Sequence, residues 1–162
     1  SATTAATATI TFSGAATADQ TIILIDAAGL SKTYTAKDAT SATAGQFIKT
    51  DKDAAATALK ACIEHANGHN RTITVADNGS GVLTLTQATA GTAGNTAITE
   101  TLANTAALGG DGATANEFTG GTTLTSCVQG EVAHAVTGST YHLYVCVATD
   151  TWRRAELATY VG

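Results

Sequence analysis

Alternating threonine and aliphatic residues constrain the fold of this chain more than any other feature. In residues 72–87, TITVADNGSGVLTLTQ, aliphatic side chains alternate with Thr on both sides of a Gly-rich turn. Such period-two alternation is typical of a strand with one buried face and one wet face. Asn and Gly tolerate the backbone of a tight turn. The stretch therefore predicts a β-hairpin with an aliphatic face and a threonine face.

Strands are also expected near the start of the chain. Residues 9–14 alternate, and the segments 20–26 and 31–36 flank a short turn at residues 27–29, which predicts a second hairpin. Residues 1–9, SATTAATAT, have no clear period and are expected to form an N-terminal arm.

One amphipathic helix is expected in TDKDAAATALKACIEHANGHN, residues 50–70. Thr50 as N-cap with Asp53 three residues later resembles a capping box, and Gly68 is expected as the C′ residue. The apolar residues with helical spacing predict a stripe that packs across a sheet: Ala55, Leu59, Cys62, Ile63 and Ala66. The polar residues expected to face away from the sheet are Lys52, Lys60 and Glu64.

The region after the second threonine strand is rich in Gly and Ala and predicts long loops. A short edge strand is expected near residues 97–102, and the sequence leaves open whether residues 103–118 are ordered without a neighbour. The C-terminal part alternates again and holds the only Trp, which predicts a β-hairpin extension. We place a soft boundary at residues 120–123.

The expected organisation is therefore an N-terminal arm (1–9), a core domain (10–121) and a C-terminal β extension (122–162). The predicted fold class is α+β. It consists of an antiparallel β-sheet or sandwich covered by one amphipathic helix, with a C-terminal β-hairpin extension.

Composition favours a surface that is covered by other subunits. Charged residues make up 13% of the chain, against about 25% in a typical domain, and a free monomer ordinarily carries more surface charge. A surface solvated by Thr, Ser and Asn is the alternative. The net charge of −5 and the lack of a basic patch with interleaved aromatics argue against a nucleic-acid partner.

No apolar run approaches the roughly 20 residues needed to span a bilayer, so no membrane partner is expected. No charged segment precedes an apolar one at the start, so no signal peptide is recognised. A cytoplasmic product is therefore expected, with Ser1 following a removed initiator Met. Cys62, Cys127 and Cys146 lack CxxC spacing and are expected as reduced thiols in such a compartment. A Cys127–Cys146 disulfide is the alternative.

Histidines and acidic turns give little sign of chemistry. His65 and His69 have a spacing that can hold a metal, but no HExxH motif surrounds them, and we interpret them as polar side chains at the helix end. His134 and His142 flank a predicted turn, which would place them across a hairpin from each other, and both are interpreted as structural.

Two acidic Gly-containing stretches predict turns in preference to calcium loops. Asp77-Asn78-Gly79 and Asp111-Gly112 lack the regular ligand spacing of such loops. The glycines near residues 109–121 lack a phosphate-binding motif, and no GxSxG is present. No catalytic residue, metal site or cofactor is predicted, and the chain is expected not to be an enzyme.

Aromatic and arginine side chains near the end of the chain are the candidates for an interface. Trp152, Arg153 and Arg154 are consecutive, and Tyr144 and Tyr160 lie nearby in the sequence. Trp, Tyr and Arg are enriched at the energetically dominant positions of protein interfaces. A solvent-exposed strand end is the alternative interpretation.

Two parts of the sequence resemble proteins of tailed-bacteriophage virions. Residues 8–123 resemble a module in which a TITFTG-like strand and an ITL-D-x-x-G hairpin precede an Ala-rich helix. The matching stretches here are ATITFSG, TIILIDAAG and ATALKACIEHANGH, followed by LTLTQATAGTAGN and a closing GGT. The ending YHLYVCVATDTWRRAELATYVG is similar to the strands that close some phage structural proteins.

The resemblance implies a non-enzymatic structural protein of a phage virion. The expected role is a capsid decoration or cement subunit, made in the host cytoplasm and located in the virion. Its expected partners are other copies of itself and major capsid or other virion proteins. A tail tube protein, or a fibre or host-surface adhesion module, is the alternative.

Overall fold

The structure, a computed structural model, describes residues 3–109, 116–123, 129–137, 140–148 and 151–156. Only the backbone is described for residues 105–107, 133–137, 140–142, 148, 151–152 and 154–156. Over these ranges the chain is α+β, as predicted. It divides into two compact units, a core unit of Thr4–Thr122 and a C-terminal unit that comprises Thr123–Gly162 together with Ser1–Thr3.

The core unit contains one α-helix and two four-stranded sheets in its described part. The helix, α1, is Lys52–Glu64. The strands of the core unit are β1 (Thr7–Phe12), β2 (Thr21–Ile25), β3 (Ser31–Lys37), β4 (Gln46–Ile48), β5 (Ile73–Asp77), β6 (Val82–Gln87), β7 (Thr99–Glu100) and β8 (Thr105–Gly109).

The first sheet is antiparallel, with strand order β5-β6-β1-β8. The predicted threonine hairpin forms its β5–β6 edge and is confirmed in register, with Val75 opposite Leu85 and Thr74 opposite Thr86. Val75 and Leu85 are buried, whereas Thr74 and Thr84 are exposed. The period-two pattern thus predicted which face of the hairpin enters the core.

The second sheet is mixed, with strand order β4-β3-β2-β7. The predicted hairpin forms β2 and β3, and the short edge strand expected near residues 97–102 is β7. Strand β4 was not predicted, because its three residues are too few for an alternation to be recognised. A 3-10 turn at Ala42–Ala44 redirects the chain there, and β4 then pairs parallel to β3 with Phe47 buried.

The helix begins one residue later than the sequence indicated. Asp51, and not Thr50, is the N-cap: its carboxylate accepts hydrogen bonds from the backbone N–H groups of Asp53 at 3.0 Å and Ala54 at 2.9 Å. The helix ends at Glu64 with His65 as C-cap, so the prediction of Gly68 as the C′ residue was wrong. A Cβ on Gly68 would lie 2.1 Å from the carbonyl oxygen of Cys62, so this glycine permits a close backbone approach.

Helix α1 contacts both sheets, mainly through β4 and β5. Its buried residues match the predicted stripe except at Ala66, which is exposed: Ala55, Ala56, Ala58, Leu59, Cys62 and Ile63. Lys60 and Glu64 were expected in solvent but are partly buried and bind the backbone of β5.

One hydrophobic core joins the helix and the two sheets. Its large, fully buried members are Ile10, Ile22, Leu24, Tyr34, Phe47, Leu59, Ile63, Ile73, Leu83, Leu85 and Phe118. Residues 4–9 also belong to this unit, whereas the sequence indicated an arm. Thr4 pairs with Thr122, and Ala6 and Ala8 are buried. The strand predicted at residues 9–14 is β1, and its earlier start at Thr7 was not recognised because Ala and Thr differ little in hydrophobicity.

The C-terminal unit contains an antiparallel three-stranded sheet in its described part. Its strands are β9 (Val132–Thr137), β10 (Thr140–Ala148) and β11 (Thr151–Glu156), in the order β11-β10-β9. The extension that the sequence predicted as a β-hairpin is three-stranded, with β10 paired to both β9 and β11. The register of β10 with β11 shifts between Cys146 and Ala148.

Candidate interface surface

The predicted interface residues fall on two paired strands. The register of β10 with β11 places Tyr144 opposite Arg154 and Val145 opposite Arg153, and Trp152 opposite Cys146. Tyr144 is partly buried and Arg153 is exposed, while only the backbone is described for the other two candidates on β11. Tyr160 lies outside the described residues. Four of the five candidates therefore lie on neighbouring strands of one sheet.

Apolar side chains are exposed on the same sheet. Val132, at the start of β9, is 61% exposed, and Val147, near the end of β10, is 39% exposed. These valines were not among the predicted interface residues, although the alternation of β10 could have identified Val147. Aliphatic surface in water is unfavourable. Val132 pairs with Val145 on β10, which also pairs with Arg153, so Val132 extends the candidate interface on the sheet face of Arg153 and not on that of Tyr144.

Cys62 and Cys146 differ in oxidation state. Cys62 is a free thiol, buried in α1, with its sulfur 3.2 Å from the carbonyl oxygen of Gln46. Burial raises the pKa of this thiol to about 11, so it is held in its unreactive protonated form. Cys146 is disulfide-bonded, which departs from the expectation of reduced thiols. The third cysteine, Cys127, lies outside the described residues.

The sequence suggested that His69 is a polar side chain at the helix end. In the structure it is part of a buried polar cluster. Its Nε2 lies 3.2 Å from the carbonyl oxygen of Leu30, and its Nδ1 lies 2.6 Å from the hydroxyl oxygen of Tyr34. A carbonyl can only accept, so Nε2 carries the hydrogen and Nδ1 accepts from Tyr34. His65 does not join it, because its Nδ1 accepts from the backbone N–H of Asn67 at 3.0 Å.

The environment of His69 favours its neutral form. Burial lowers the pKa of His69, and it outweighs the opposing effects of the Leu30 carbonyl and the Asp26 carboxylate. Burial also raises the pKa of the Tyr34 hydroxyl. Both groups are therefore uncharged near neutral pH, and each satisfies the other in the core.

Asp26 is a buried residue whose role the sequence analysis missed. Its Oδ1 accepts from the backbone N–H groups of Ala28 and Leu30, and its Oδ2 accepts from the hydroxyl of Thr72 at 2.6 Å. Burial opposes ionisation of Asp26, but these hydrogen bonds outweigh it and lower the pKa of the carboxyl. The Asp-x-x-Gly pattern after β2 was the signal for this turn.

A buried amide side chain, that of Gln87, links the two sheets. The Nε2 of Gln87, in β6, donates to the carbonyl oxygen of Ile25, and its Oε1 accepts from the backbone N–H of Ala27, both at 3.0 Å. Thr96 donates from its hydroxyl to the same Ile25 oxygen at 2.5 Å. These contacts position the turn between β2 and β3 and are structural in kind.

The glycines of the GxxGN stretch (residues 91–95) and of the GGT stretch (residues 120–122) have a packing role in the structure. Asn95 donates from Nδ2 to the carbonyl oxygen of Gly121 at 3.0 Å and accepts at Oδ1 from the N–H of Gly121 at 2.8 Å. A Cβ on Gly121 would lie 2.4 Å from the carbonyl oxygen of Gly91. The GxxGN and GGT stretches therefore bind each other where Thr4 pairs with Thr122.

The remaining candidate sites are placed as follows. Asp77-Asn78-Gly79 forms the predicted turn, between β5 and β6. No group of three or more His, Cys, Asp or Glu side chains is arranged to hold a metal among the described residues. His134 pairs with Leu143 and His142 with Ala135, so the two histidines are not opposite each other in register. Asp111 and Gly112 lie outside the described residues.

No helix in the described part of the chain has the length and apolar character needed to cross a membrane. Comparisons of the chain with protein-family models, with curated proteins and with solved structures find no match.

Proposed function

We propose that this chain is a non-enzymatic structural protein of a tailed-phage virion, and specifically a capsid decoration or cement subunit. The observation that carries the proposal is the exposure of Val132 and Val147 on the sheet that also holds the arginine and aromatic candidates. The sequence resemblance to phage virion modules supports the same class of protein.

Few of the described side chains on the C-terminal sheet are buried. Of its residues with described side chains, Cys146 is buried, whereas Leu143, Tyr144 and Val145 are partly exposed. A three-stranded sheet needs a covered hydrophobic face to be stable. Contact with another subunit would cover the face that holds Val132 and Val145.

The low charge of the chain supports many contacts of modest strength. Few charged groups would have to be stripped of water when the surface is covered, and burying unpaired charge is costly. Arg153 is exposed and can pair with acidic or carbonyl groups of a neighbour. The partners in this proposal are other copies of the chain and the major capsid protein.

Side chains that support chemistry in other proteins are used for packing in the core unit. His69 is enclosed by Tyr34 and Leu30, and the Cys62 thiol is buried. This use supports a structural role for the unit, which would present the C-terminal sheet on the particle.

A tail tube or a fibre or adhesion module is the second candidate. The observation in its favour is the threonine face of the first sheet, where Thr74, Thr84 and Thr7 are exposed on three neighbouring strands. Hydroxyl and methyl groups in regular rows suit contacts with a polar polymer or with stacked subunits.

The proposal is tested with purified chain and phage capsids that lack it. We expect the wild-type chain to co-sediment with capsids and the double variant V132T/V147T to bind at least about tenfold more weakly, since each loses buried aliphatic contact of about 1 kcal/mol. Leu30, 42% exposed in the core unit, provides the matched control L30T, which should bind normally. Equal binding by all three proteins, or no binding by any, would contradict the decoration role.

A further inference from the structure

We propose that Asn78, in the turn between β5 and β6, is a site of spontaneous deamidation that the folded chain itself promotes. Asn78 is followed by Gly79, and both residues are exposed. A glycine at this position has no side chain to hinder attack of its backbone nitrogen on the preceding amide. Two sets of hydrogen bonds in the turn favour the reaction further, and the inference is independent of the proposed virion role.

The first set acts on the carbonyl of the Asn78 side chain. Its Oδ1 accepts from the backbone N–H of Ser80 at 2.8 Å and from that of Val82 at 3.1 Å. These two donors identify this atom as the oxygen of the amide. They are aimed at the oxygen that becomes negatively charged when a nucleophile adds to Cγ, as in an oxyanion hole.

The second set acts on the attacking nitrogen. The backbone N–H of Gly79 donates to Oδ1 of Asp77 at 2.9 Å, so a carboxylate is in place to accept the proton. The other oxygen of Asp77 accepts from the hydroxyl of Thr57, in α1, at 2.7 Å. Lys52, also in α1, donates to the carbonyl oxygen of Ser80 at 3.1 Å. The helix therefore holds both the base and the turn in position.

The reaction balances with water as the only co-reactant. Asp77 takes the proton from the Gly79 nitrogen as this nitrogen bonds to Cγ of Asn78, and the side-chain nitrogen leaves as ammonia after the proton is returned to it. The resulting succinimide adds water. Opening at Cγ gives aspartate, and opening at the main-chain carbonyl gives isoaspartate. The net charge changes from −5 to −6, because −5 − 1 = −6 for one new carboxylate.

The chain contains a second Asn-Gly pair that serves as an internal control. Gly68 is buried, and its N–H donates to the carbonyl oxygen of His65 at 2.9 Å. A carbonyl oxygen does not act as the base that this reaction needs. The Nδ2 of Asn67 donates to the carbonyl oxygen of Thr43 at 3.2 Å. The close approach of Gly68 to the end of α1 also fixes the backbone. Asn67 is therefore expected to undergo the same reaction more slowly.

Peptide mapping by mass spectrometry tests this proposal on the full chain incubated at neutral pH. We expect Asn78 to convert at least about a hundredfold faster than Asn67 in the folded protein, which is the lower end of what a positioned base contributes. In denaturant the two rates should become similar. If Asn78 converts more slowly in the folded chain than in denaturant, or no faster than Asn67, the proposal is overturned.

A variant tests the role of Asp77 directly. D77N retains an oxygen that accepts from Gly79 but is not a base, so the turn is preserved while the proton acceptor is lost. We expect about hundredfold slower conversion of Asn78 and an unchanged rate at Asn67. The control T57A keeps the carboxylate and should retain faster conversion than D77N. An Asn78 rate in D77N equal to that of the wild type would overturn the assignment of Asp77.

Discussion

The carboxylate of Glu64 accepts a hydrogen bond from the backbone N–H of Val75 at 2.9 Å. Val75 lies on β5, the edge strand of the first sheet, and Lys60 donates to the carbonyl oxygen of the same residue. Lys60 and Glu64 also pair with each other at 2.8 Å. Two side chains of α1 thus occupy the backbone groups that an edge strand would otherwise offer to another chain.

Replacing Glu64 should weaken the fold and open this edge. We expect E64A to lower the free energy of unfolding by about 1–2 kcal/mol, because the partly buried Val75 N–H loses its acceptor. We also expect greater aggregation through β5. E64Q retains an accepting oxygen and should fall between E64A and the wild type. Denaturant unfolding and light scattering measure the two effects, and identical behaviour of E64A and wild type would contradict the capping role.

His69 should make the stability of the fold depend on pH in the mildly acidic range. Its pKa is lowered in the folded chain from the ordinary value of 6.5. Below about pH 6.5 the unfolded chain therefore binds a proton that the folded chain does not, and stability falls as the pH falls toward the folded pKa. Above the ordinary value the full contribution is present.

The variant H69Q provides the comparison for this pH effect. Its free energy of unfolding should be lower at neutral pH, because packing with Tyr34 is disturbed, but it should decrease less between neutral pH and about pH 5. Chemical unfolding over this range measures both quantities. Parallel pH profiles for the wild type and H69Q would show that His69 is not the group responsible.

Tyr34 should contribute through its hydroxyl as well as its ring. Y34F keeps the ring but removes the donor to His69 Nδ1, and a buried acceptor without a partner costs about 1–3 kcal/mol. We expect a loss of stability in that range with unchanged secondary structure. A loss of only a few tenths of a kcal/mol would indicate that His69 finds another donor.

The glycine at position 121 should tolerate substitution far less than its neighbour. In G121A the new Cβ meets Gly91 and Asn95, with contacts of 2.4 and 2.7 Å to backbone and side-chain oxygen. Gly120 has open space but a φ of +78°, so G120A costs about 1 kcal/mol from backbone strain. We expect G121A to cost about 1–3 kcal/mol more than this. Thermal unfolding of the two variants measures the difference, and equal stabilities would contradict the packing role.

The sequence predicted the elements whose residues alternate clearly between apolar and polar. The threonine hairpin was recognised because Val75 and Leu85 contrast strongly with Thr74 and Thr86. Strand β1 begins earlier than predicted because Ala and Thr differ little in hydrophobicity. Strand β4 is too short for any period to be recognised, and its place depends on pairing with β3.

Side-chain contacts between distant residues could not be predicted from local pattern. His69 resembled a polar residue at the end of a helix, but Tyr34 and Leu30 surround it from a different hairpin. The same is true of Lys60, whose partner Val75 follows the helix by a turn. The interface candidates were identified by residue type alone, and their common location on β10 and β11 depends on the strand register.

The most direct test of the central claim is cryo-electron microscopy of phage particles that contain this chain, with mass spectrometry to establish its copy number. The account predicts ordered density on the outside of the capsid shell, repeated with the lattice, with Val132 and Val147 at contacts between subunits. Density in a stacked tube or a protruding fibre would transfer the structural role to the tail. Absence of the chain from purified particles would contradict the virion role itself.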